Sequence, residues 1–488
     1  MGKTHYDLAV VGAGIMGLSH AAAGLARGLK VAVFERNAAV TEASVRNFGL
    51  LTSLYDAPGA WGDRALRSRA LYQSWSQRGW GCPLSTPGSL QLAQTPLQWA
   101  LLQAYAASAP TLRYPVELLD AQAARARAPA LGPGIHGALH FPGDGLLEPR
   151  VLFDRAAGLP AALASQGVAL HWSSPIVALR ARAGGGSVAL TTASGEAFHA
   201  SRVVLCSGSD VASLAPALFL AEAPHLRLCK LQMLRLLLPL PSAAAAAAAA
   251  APPPPCTITS GLSLRRYPGP AAACPREHAA MMAGEGGPGS PSATAEALGV
   301  HIIARPAAQL PRTPFGAVAT AAAAGGQLAL SPHEWIVGDS HEYFPLHSPG
   351  AGAGAGAGAH YPAFDESCSE NVTDVILGVL SSMFQGLQGL QSARAGVVAL
   401  QQEGPAQPPS ARILQQWSGV YLDHSQGFFS SASALAPGAR GAQRLQRLSP
   451  ADAAALPGGT LHCATGIGGK GMTMSPALGE EFIATYFP

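Results

Sequence analysis

Residues 6–36 read YDLAVVGAGIMGLSHAAAGLARGLKVAVFER. The apolar run at 8–11 has the length and composition of a strand buried on both faces. It runs into Gly12-Ala13-Gly14-Ile15-Met16-Gly17, then an Ala-rich helical stretch, then a second apolar run at 31–34 that ends in Glu35. This is a βαβ dinucleotide fingerprint in full context. Gly12 permits the tight turn. Gly14 lets the backbone approach a pyrophosphate, whose charge sits at the helix N-terminus, and Gly17 lets helix and strand pack closely. Glu35 stands about 20 residues downstream, where a carboxylate can accept hydrogen bonds from a ribose diol. Taken alone, the stretch suits NAD and FAD equally.

The rest of the composition sets bounds. The chain has 488 residues, of which 48% are hydrophobic and only 12% charged, a globular composition with an excess of Ala, Gly and Pro. A formal charge of +3 argues for neither nucleic acid nor a membrane surface as partner. The seven cysteines are scattered with no CxxC spacing, which suggests a reducing compartment and neither a disulfide framework nor a zinc site. A first strand at about residue 6 leaves no room for a signal peptide, so a cytoplasmic location is expected. The longest apolar stretch, 231–255, is broken by Arg235, Pro239 and Pro241, so no membrane span is expected.

Helices are expected over 61–78, 96–108, 151–165, 370–390 and, with Ser475 as N-cap and Pro476 at the first position, 476–486. Strands at 168–172, 176–182 and 187–192 suggest a small antiparallel meander, and 142–149 reads as a loop. Strands are also expected at 203–205, 229–240, 261–266, 301–304, 327–330, 334–339, 413–422 and 461–465. Low-complexity tracts near 242–256, 268–298 and 348–360 read as surface insertions, since loop closure entropy grows slowly with length. Late strands rejoin the early ones. The expected fold is therefore α/β: a discontinuous Rossmann-like nucleotide domain (1–60, 150–225 and 410–488) with an inserted α+β substrate domain (61–149 and 226–409) on a mixed or antiparallel sheet.

Two further segments carry chemistry. Thr465-Gly466-Ile467-Gly468-Gly469-Lys470-Gly471-Met472-Thr473-Met474-Ser475 brings backbone amides and a helix N-terminus to a ligand, with Lys470 adding a formal charge. Arg265 and Arg266 alternate on the expected strand, so one of them faces a pocket, where a guanidinium fork suits a carboxylate or phosphonate. Asp339, His341 and Glu342 follow a strand end. His341 could orient a substrate or take its amine proton, whereas the three make a poor metal set without further ligands. Gln232, Tyr267, Tyr343 and Tyr421 are candidate polar wall groups.

The GxGxxG start, a Ser-containing loop after the first acid, VVLCSG at 203–208 and GIGGKGMT at 466–473 occur in that order. The chain thereby resembles the D-amino-acid oxidase superfamily of FAD-dependent oxidoreductases, which includes glycine and sarcosine oxidases. Four strings resemble one subgroup, found with phosphonate catabolism: SVRNFG at 44–49, GLSLRRY at 261–267, GDSHEY at 338–343 and GGKGMTMSPALGEE at 468–481. The resemblance implies FAD, with Gly12, Ala13, Gly14, Ile15, Met16 and Gly17 at its pyrophosphate, Glu35 at the ribose and Arg36 beside the adenine. It places Ser44, Arg46 and Asn47 near phosphate and flavin, and the Val177 backbone at the adenine. Ser207 and Gly208 would approach the cofactor, and Gly466, Gly468, Gly469, Lys470, Gly471, Met472 and Thr473 the flavin ring. Covalent sarcosine oxidases use a Cys shortly before the C-terminal Gly loop. The stretch 417–423 has none and Cys463 falls in a strand, so non-covalent FAD is expected.

The expected activity is oxidation of the C–N bond of a small anionic amine to an imine that hydrolyses, the amine being an aminophosphonate, its N-methylated form or an amino acid. Oxygen or another acceptor would reoxidise the flavin. Arg46, Asn47, Arg265, Arg266, His341 and Lys470 are the catalytic candidates, with no metal, in a monomer or homodimer. The alternatives are C–OH oxidation of a small hydroxy acid or glycerol-phosphate-like substrate, and a non-catalytic nucleotide-binding protein.

Overall fold

The computed structural model describes residues 5–52, 59–108, 114–181, 186–210, 225–237, 256–285, 297–308, 330–345, 367–385, 412–424, 428–435, 445–448 and 458–488, with a few isolated positions between them. The tracts at 243–255 and 350–358 lie outside the described residues. Along the chain come β1 (His5–Val11), α1 (Ile15–Ala26), β2 (Val31–Phe34), β3 (Leu50–Leu51) and α2 (Ala60–Gln77). Next are β4 (Leu84–Ser85), β5 (Ser89–Ala93), α3 (Pro96–Ala107), β6 (Glu117–Asp120), α4 (Ala121–Arg127), β7 (Gly137–Phe141), β8 (Gly145–Leu147), α5 (Pro149–Leu152) and α6 (Leu159–Ser165). β9 (Ala169–His171), β10 (Ile176–Ala181), β11 (Val188–Thr192), β12 (Ala197–Leu205) and β13 (Leu226–Leu237) follow. Then come β14 (Thr257–Thr259), a 3-10 helix (Gly261–Arg265), α7 (Pro268–Ala273), α8 (Pro275–Glu285), β15 (Ile303–Ala308), β16 (Leu330–Gly338) and β17 (Glu342–Pro345). The last elements are α9 (Glu370–Met383), β18 (Arg412–His424), β19 (Phe429–Leu435), β20 (Leu445–Leu448), β21 (Thr460–Thr465) and α10 (Gly471–Tyr486).

Two large sheets organise these elements. The first runs β20-β19-β21-β12-β1-β2-β9, with the β10–β11 hairpin attached to β12. Its centre is parallel: β1 pairs with β2 and β12, and β12 with β21. β2 is buried at every position because helices cover one face and the hairpin the other. The second sheet runs β17-β13-β16-β15-β14-β5-β7-β6, with β18 also on β13, and is mostly antiparallel. A small sheet, β3-β8-β4, lies apart from both.

Several expectations change. β18, placed with the nucleotide segment 410–488, pairs with β13 in the second sheet over its whole length. α2, placed on the substrate side, packs on α10, with Tyr72 and Trp75 in the same core as α1. The span 142–149 contains β8, which pairs with β3. The helix expected over 151–165 is two, α5 and α6, separated around Gly158, where a Cβ would meet the Leu152 carbonyl at 2.5 Å. β9 pairs in parallel with β2 and is not part of the meander. Of the strand expected at 327–330, residues 327–329 lie outside the described residues, and Leu330 joins most of 334–339 in one strand, β16. Residues 268–285 are α7 and α8, not an insertion, because Cys274 and Met281 bury against Leu101, Leu102 and Tyr105. Residues 261–265 form a 3-10 helix instead of a strand.

The last helix starts at Gly471, five residues before the expected start. Ser475 lies inside it, its hydroxyl donating to the Gly471 carbonyl at 2.7 Å. Pro476 then lies in the helix interior, where its missing N–H leaves the Met472 carbonyl without a helical donor. The Tyr72 hydroxyl of α2 donates to that carbonyl at 2.8 Å, and the Ala477 N–H donates to Ser68 of α2 at 3.1 Å. The strain of the proline is thereby absorbed by a neighbouring helix.

Between α1, α10 and the sheet lie two buried histidines. His20 meets the Met16 carbonyl at 2.7 Å and packs against Phe482, and His462 packs against Phe482 and Tyr486. Burial lowers His20 to about 4 and, with the Arg202 charge, lowers His462 to about 3. A histidine whose folded pKa is depressed contributes stability above its unfolded pKa of about 6.5 and loses it as pH falls toward the folded value. At pH 5 each therefore costs about 2 kcal/mol. The urea midpoint should drop steeply between pH 7 and 5, and His462→Gln should flatten that drop. A slope identical to wild type in the variant would show that His462 does not carry it.

Candidate active site

A single cleft of about 880 Å³ runs along the C-terminal ends of the central strands and over the face of the second sheet. One end is built by the junction after β1. Gly12 adopts φ +106°, and a Cβ there would lie 2.4 Å from the Cys206 carbonyl. A Cβ on Gly17 would lie 1.9 Å from the Gly12 carbonyl. These approaches exclude any side chain and seat α1 directly on the strand end. Gly14 caps α1 without a side-chain hydrogen bond, so the first-turn amides face the cleft. Ser44 reaches across to accept the Ile15 N–H at 3.0 Å. Glu35 accepts the Ala13 N–H and the Asn37 N–H, each at 2.9 Å, which fixes its carboxylate on the cleft wall with lone pairs left for a ligand. Arg36 pairs with Asp210 at 2.9 Å on the same wall.

The structure brings most of the expected cofactor residues together. Gly12, Gly14, Ile15, Met16, Glu35, Arg36, Ser44, Arg46, Asn47, Ser207, Gly208, Gly466, Gly468, Gly469, Lys470, Gly471, Met472 and Thr473 all line the cleft. Ala13 and Gly17 stand behind this lining, as a hydrogen-bond donor and a packing contact. Val177 does not line it. Its side chain is 57% exposed, and Pro175 and Ile176 hold that wall instead. Val177 is the extra residue of a bulge between β10 and β11, so its backbone groups stand outside the ladder.

The loop after β2 is a set of struts. Arg46 donates to the Thr41 carbonyl at 2.7 Å and to the Ser418 carbonyl of β18 at 3.0 Å, and Trp417 returns a bond to the Arg46 carbonyl at 3.0 Å. The Asn47 amide donates to the Ala43 and Ser44 carbonyls and accepts from Gly49. These bonds give Arg46 and Asn47 the work of holding the loop on β18.

The far end of the cleft lies on the second sheet. Arg266, Tyr267, Asp339, His341, Tyr343 and Tyr421 line it, with Arg227 at the rim. The 3-10 turn separates the two arginines. Arg266 enters the cleft and donates to the Tyr343 hydroxyl, whereas Arg265 turns into the protein, 3.8 Å from Glu285. Burial opposes the Arg266 charge, but Tyr267, Tyr343, Tyr421 and Asp339 outweigh it and raise its pKa, so the guanidinium stays ionised. Burial lowers His341 to about 3, against the pull of Asp339, so His341 is neutral near pH 7. Burial pushes Asp339 up, yet His341, His301 and Arg266 hold it below the ordinary carboxylate value. Gln232, a candidate wall group, is buried away from the cleft against Ser369 and Thr373.

His301, Arg227 and Asp423 were missed by the sequence reading. No local pattern marks them: His301 meets Asp339 through reciprocal backbone bonds at 3.1 and 2.8 Å and a side-chain contact, and Arg227 meets Asp423 at 2.7 Å across β13 and β18. His301, Asp339 and His341 present ligand atoms within 4.8 Å of one another, the one such trio among the described residues. His301 Nδ1 lies 2.7 Å from Asp339 Oδ1, closer than the roughly 3 Å or more that separates two ligands of a metal held at about 2.1 Å. With Arg266 adding positive charge, the trio reads as a polar relay.

A family model described as "FAD dependent oxidoreductase" matches residues 7–485. Glycine oxidase of Geobacillus kaustophilus (strain HTA426) is 30% identical over 220 residues, which is 43% of this chain and 57% of that relative. The chain thus spans little more than half the length of this curated relative. The solved glycine oxidase from Geobacillus kaustophilus superposes with a TM-score of 0.60 at 18% identity, over 98% of this chain and 94% of that one. L-proline dehydrogenase from P. horikoshii gives 0.62 at 14% identity, over 99% and 94%. These likenesses show the fold.

The residues present fit FAD. Two helix N-termini without side-chain caps, those of α1 and α10, and a glycine cradle that admits no Cβ face one continuous cleft. Cys463 is buried in β21 and does not line the cleft. Gly12→Ala, strained in φ and clashing with Cys206, should yield protein that folds with little bound flavin. Full 450 nm absorbance per protein in that variant would show that the cradle is not the binding site.

Proposed function

We propose, for a chain that belongs to the DAO family of FAD dependent oxidoreductases, oxidation of the C–N bond of a small anionic amine. The candidates are aminophosphonates, their N-methylated forms and amino acids. The product is an imine that water hydrolyses. The observation that carries this reading is Arg266, a half-buried and ionised guanidinium in the same cleft as the fingerprint glycines. A forked cation in a half-closed site selects a carboxylate or phosphonate. Arg227, stacked 3.8 Å over the Tyr343 ring at the rim, is paired with Asp423 at 2.7 Å, so Arg266 is the anion anchor.

When bound, FAD supplies the two-electron acceptor for the hydride that leaves the substrate carbon. The chain's own residues bind and orient. Ser44, Gly12 and the α1 amides support placement of a pyrophosphate. The Gly466–Thr473 loop and the positive end of α10 would hold the other end of the cofactor and favour negative charge there. Arg266 anchors the substrate anion, and Tyr267 and Tyr421 close the wall around it. Hydride loss needs a neutral amine. His341 is uncharged near neutral pH and sets no second positive charge beside the substrate nitrogen. Non-covalent attachment of the cofactor is consistent with Cys463 lying away from the cleft.

The test is an anaerobic panel read at the flavin band: aminoethylphosphonate and its N-methyl forms, glycine, sarcosine, D-amino acids, lactate and glycerol phosphate. Bleaching by anionic amines supports the reading, and bleaching by hydroxy compounds alone overturns it. Arg266→Met should raise KM for the anionic amine about tenfold or more, the usual cost of losing a charge-assisted hydrogen bond. Arg265→Met should leave KM near wild type, since Arg265 points away. Between pH 6 and 9, kcat/KM should climb with the substrate's own amine ionisation. An inflection near 6–7 that disappears in His341→Asn would contradict the neutral His341.

A further inference from the structure

The substrate end holds an ionisable group that the anchoring of an anion does not use. Asp339 lines the cleft at 5% exposure. Among the described residues its ion-pair neighbours within 4 Å are imidazoles alone: His301 Nδ1 at 2.7 Å and His341 Nδ1 at 3.7 Å, both facing Oδ1. A buried carboxylate is costly without a cation or several donors to satisfy it. Here it lies on the wall of a binding cleft, beside Arg266.

His301 is buried behind the cleft and does not line it. Its Nε2 lies 2.7 Å from the Tyr267 hydroxyl. If Tyr267 donates there, the imidazole proton falls on Nδ1, the atom that faces Asp339; this tautomer is assigned from the network. Reciprocal backbone bonds between His301 and Asp339 fix the spacing of the two residues. The carboxylate is thus placed by its backbone bonds and by the close imidazole contact, while its Oδ1 keeps no aligned hydrogen-bond partner within the protein.

Resting on the reading of the cleft as a site for an anionic amine, we propose that Asp339 is the amine subsite. It accepts the N–H of a ligand whose anion lies on Arg266, and His301 is the positioning residue that aims it. Arg266 and Asp339 then match a ligand with one negative group and one amine. In the neutral amine required for hydride loss, an N–H held by Asp339 turns the nitrogen lone pair away from the carboxylate and fixes the rotation about the C–N bond. No proton need pass to Asp339 for this.

The test compares ligands that share an anion and differ in the amine, on the FAD-loaded enzyme. The apparent Kd of aminoethylphosphonate and of glycine is taken from anaerobic flavin reduction. The inhibition constants of ethylphosphonate and acetate are measured against them. Asp339→Asn should weaken the amines about tenfold or more and leave the amine-free anions within about twofold. Asp339→Ser, smaller and uncharged, should give the same split and serves if the first variant folds poorly. His301→Asn, which keeps an N–H donor near the Nδ1 position, should behave like wild type. His301→Phe should weaken the amines selectively. Equal weakening of amines and anions, or no change in the amines, overturns the proposal. If ethylphosphonate and acetate do not inhibit and Arg266→Met changes nothing, the anion-anchor reading fails instead, a result distinct from any effect at Asp339.

Discussion

The structure depends on one junction, where three parallel strand ends meet the start of α1. Gly12 donates to the Phe34 carbonyl of β2 at 2.8 Å, and Cys206 after β12 donates to the Val11 carbonyl of β1 at 2.8 Å. The Ala13 N–H goes to Glu35 just beyond β2. In that space no Cβ fits at Gly12 or Gly17, because backbone carbonyls already occupy it. The missing side chains set the distance from helix to sheet, and that distance decides where the α1 amides point. The cleft lies at the C-terminal ends of the parallel strands because the junction opens there, as in other open α/β sheets.

How much of this was legible follows from how local each cause is. The fingerprint was readable because its glycines, apolar runs and acid act within 30 residues of one another. The Gly466–Thr473 loop was readable for the same reason. The arginine pair was read as alternating on a strand; the structure separates the two by a 3-10 turn, a local geometry that apolar periodicity does not encode. α7 and α8 were lost in compositional bias, although Cys274 and Met281 mark a buried face. β18 resembles any late strand, and only its pairing with β13, in twelve residue pairs, assigns it to the second sheet. His301 could not be found at all, since its meaning comes from a partner 38 positions away across two strands.

The second sheet brings charged side chains to the far end of the cleft. Most charged groups at the far end are matched inside the protein: Arg227 with Asp423, and Arg265 with Glu285. Behind them Arg305 and Glu148, each 2% exposed in the side chain, pair at 3.0 Å between β15 and the end of β8. Buried pairs of this kind add little net stability over apolar packing, but removing one partner strands the other. They fix the elements that surround Asp339 and Arg266. Those two line the cleft, unlike Arg265, Glu285, Arg305 and Glu148, and a ligand with an anion and an amine can complete them.

The start of α10 shows why the two halves cannot be separated by sequence position. For its positive end to reach the cleft the helix must begin at Gly471, which places Pro476 in its second turn. A proline there removes one helical bond and crowds the carbonyl four residues earlier. Tyr72 and Ser68 of α2 take up the Met472 carbonyl and the Ala477 N–H. Arg64 of α2 reaches Glu481 at 3.0 Å, and Lys470 at the helix start lies 5.8 Å over the Trp61 ring. α2 falls in sequence among the elements of the substrate side, yet the geometry of the cofactor loop depends on it. An early insertion in the chain thus supports a site completed only at the C-terminus, and α2 belongs physically with α10.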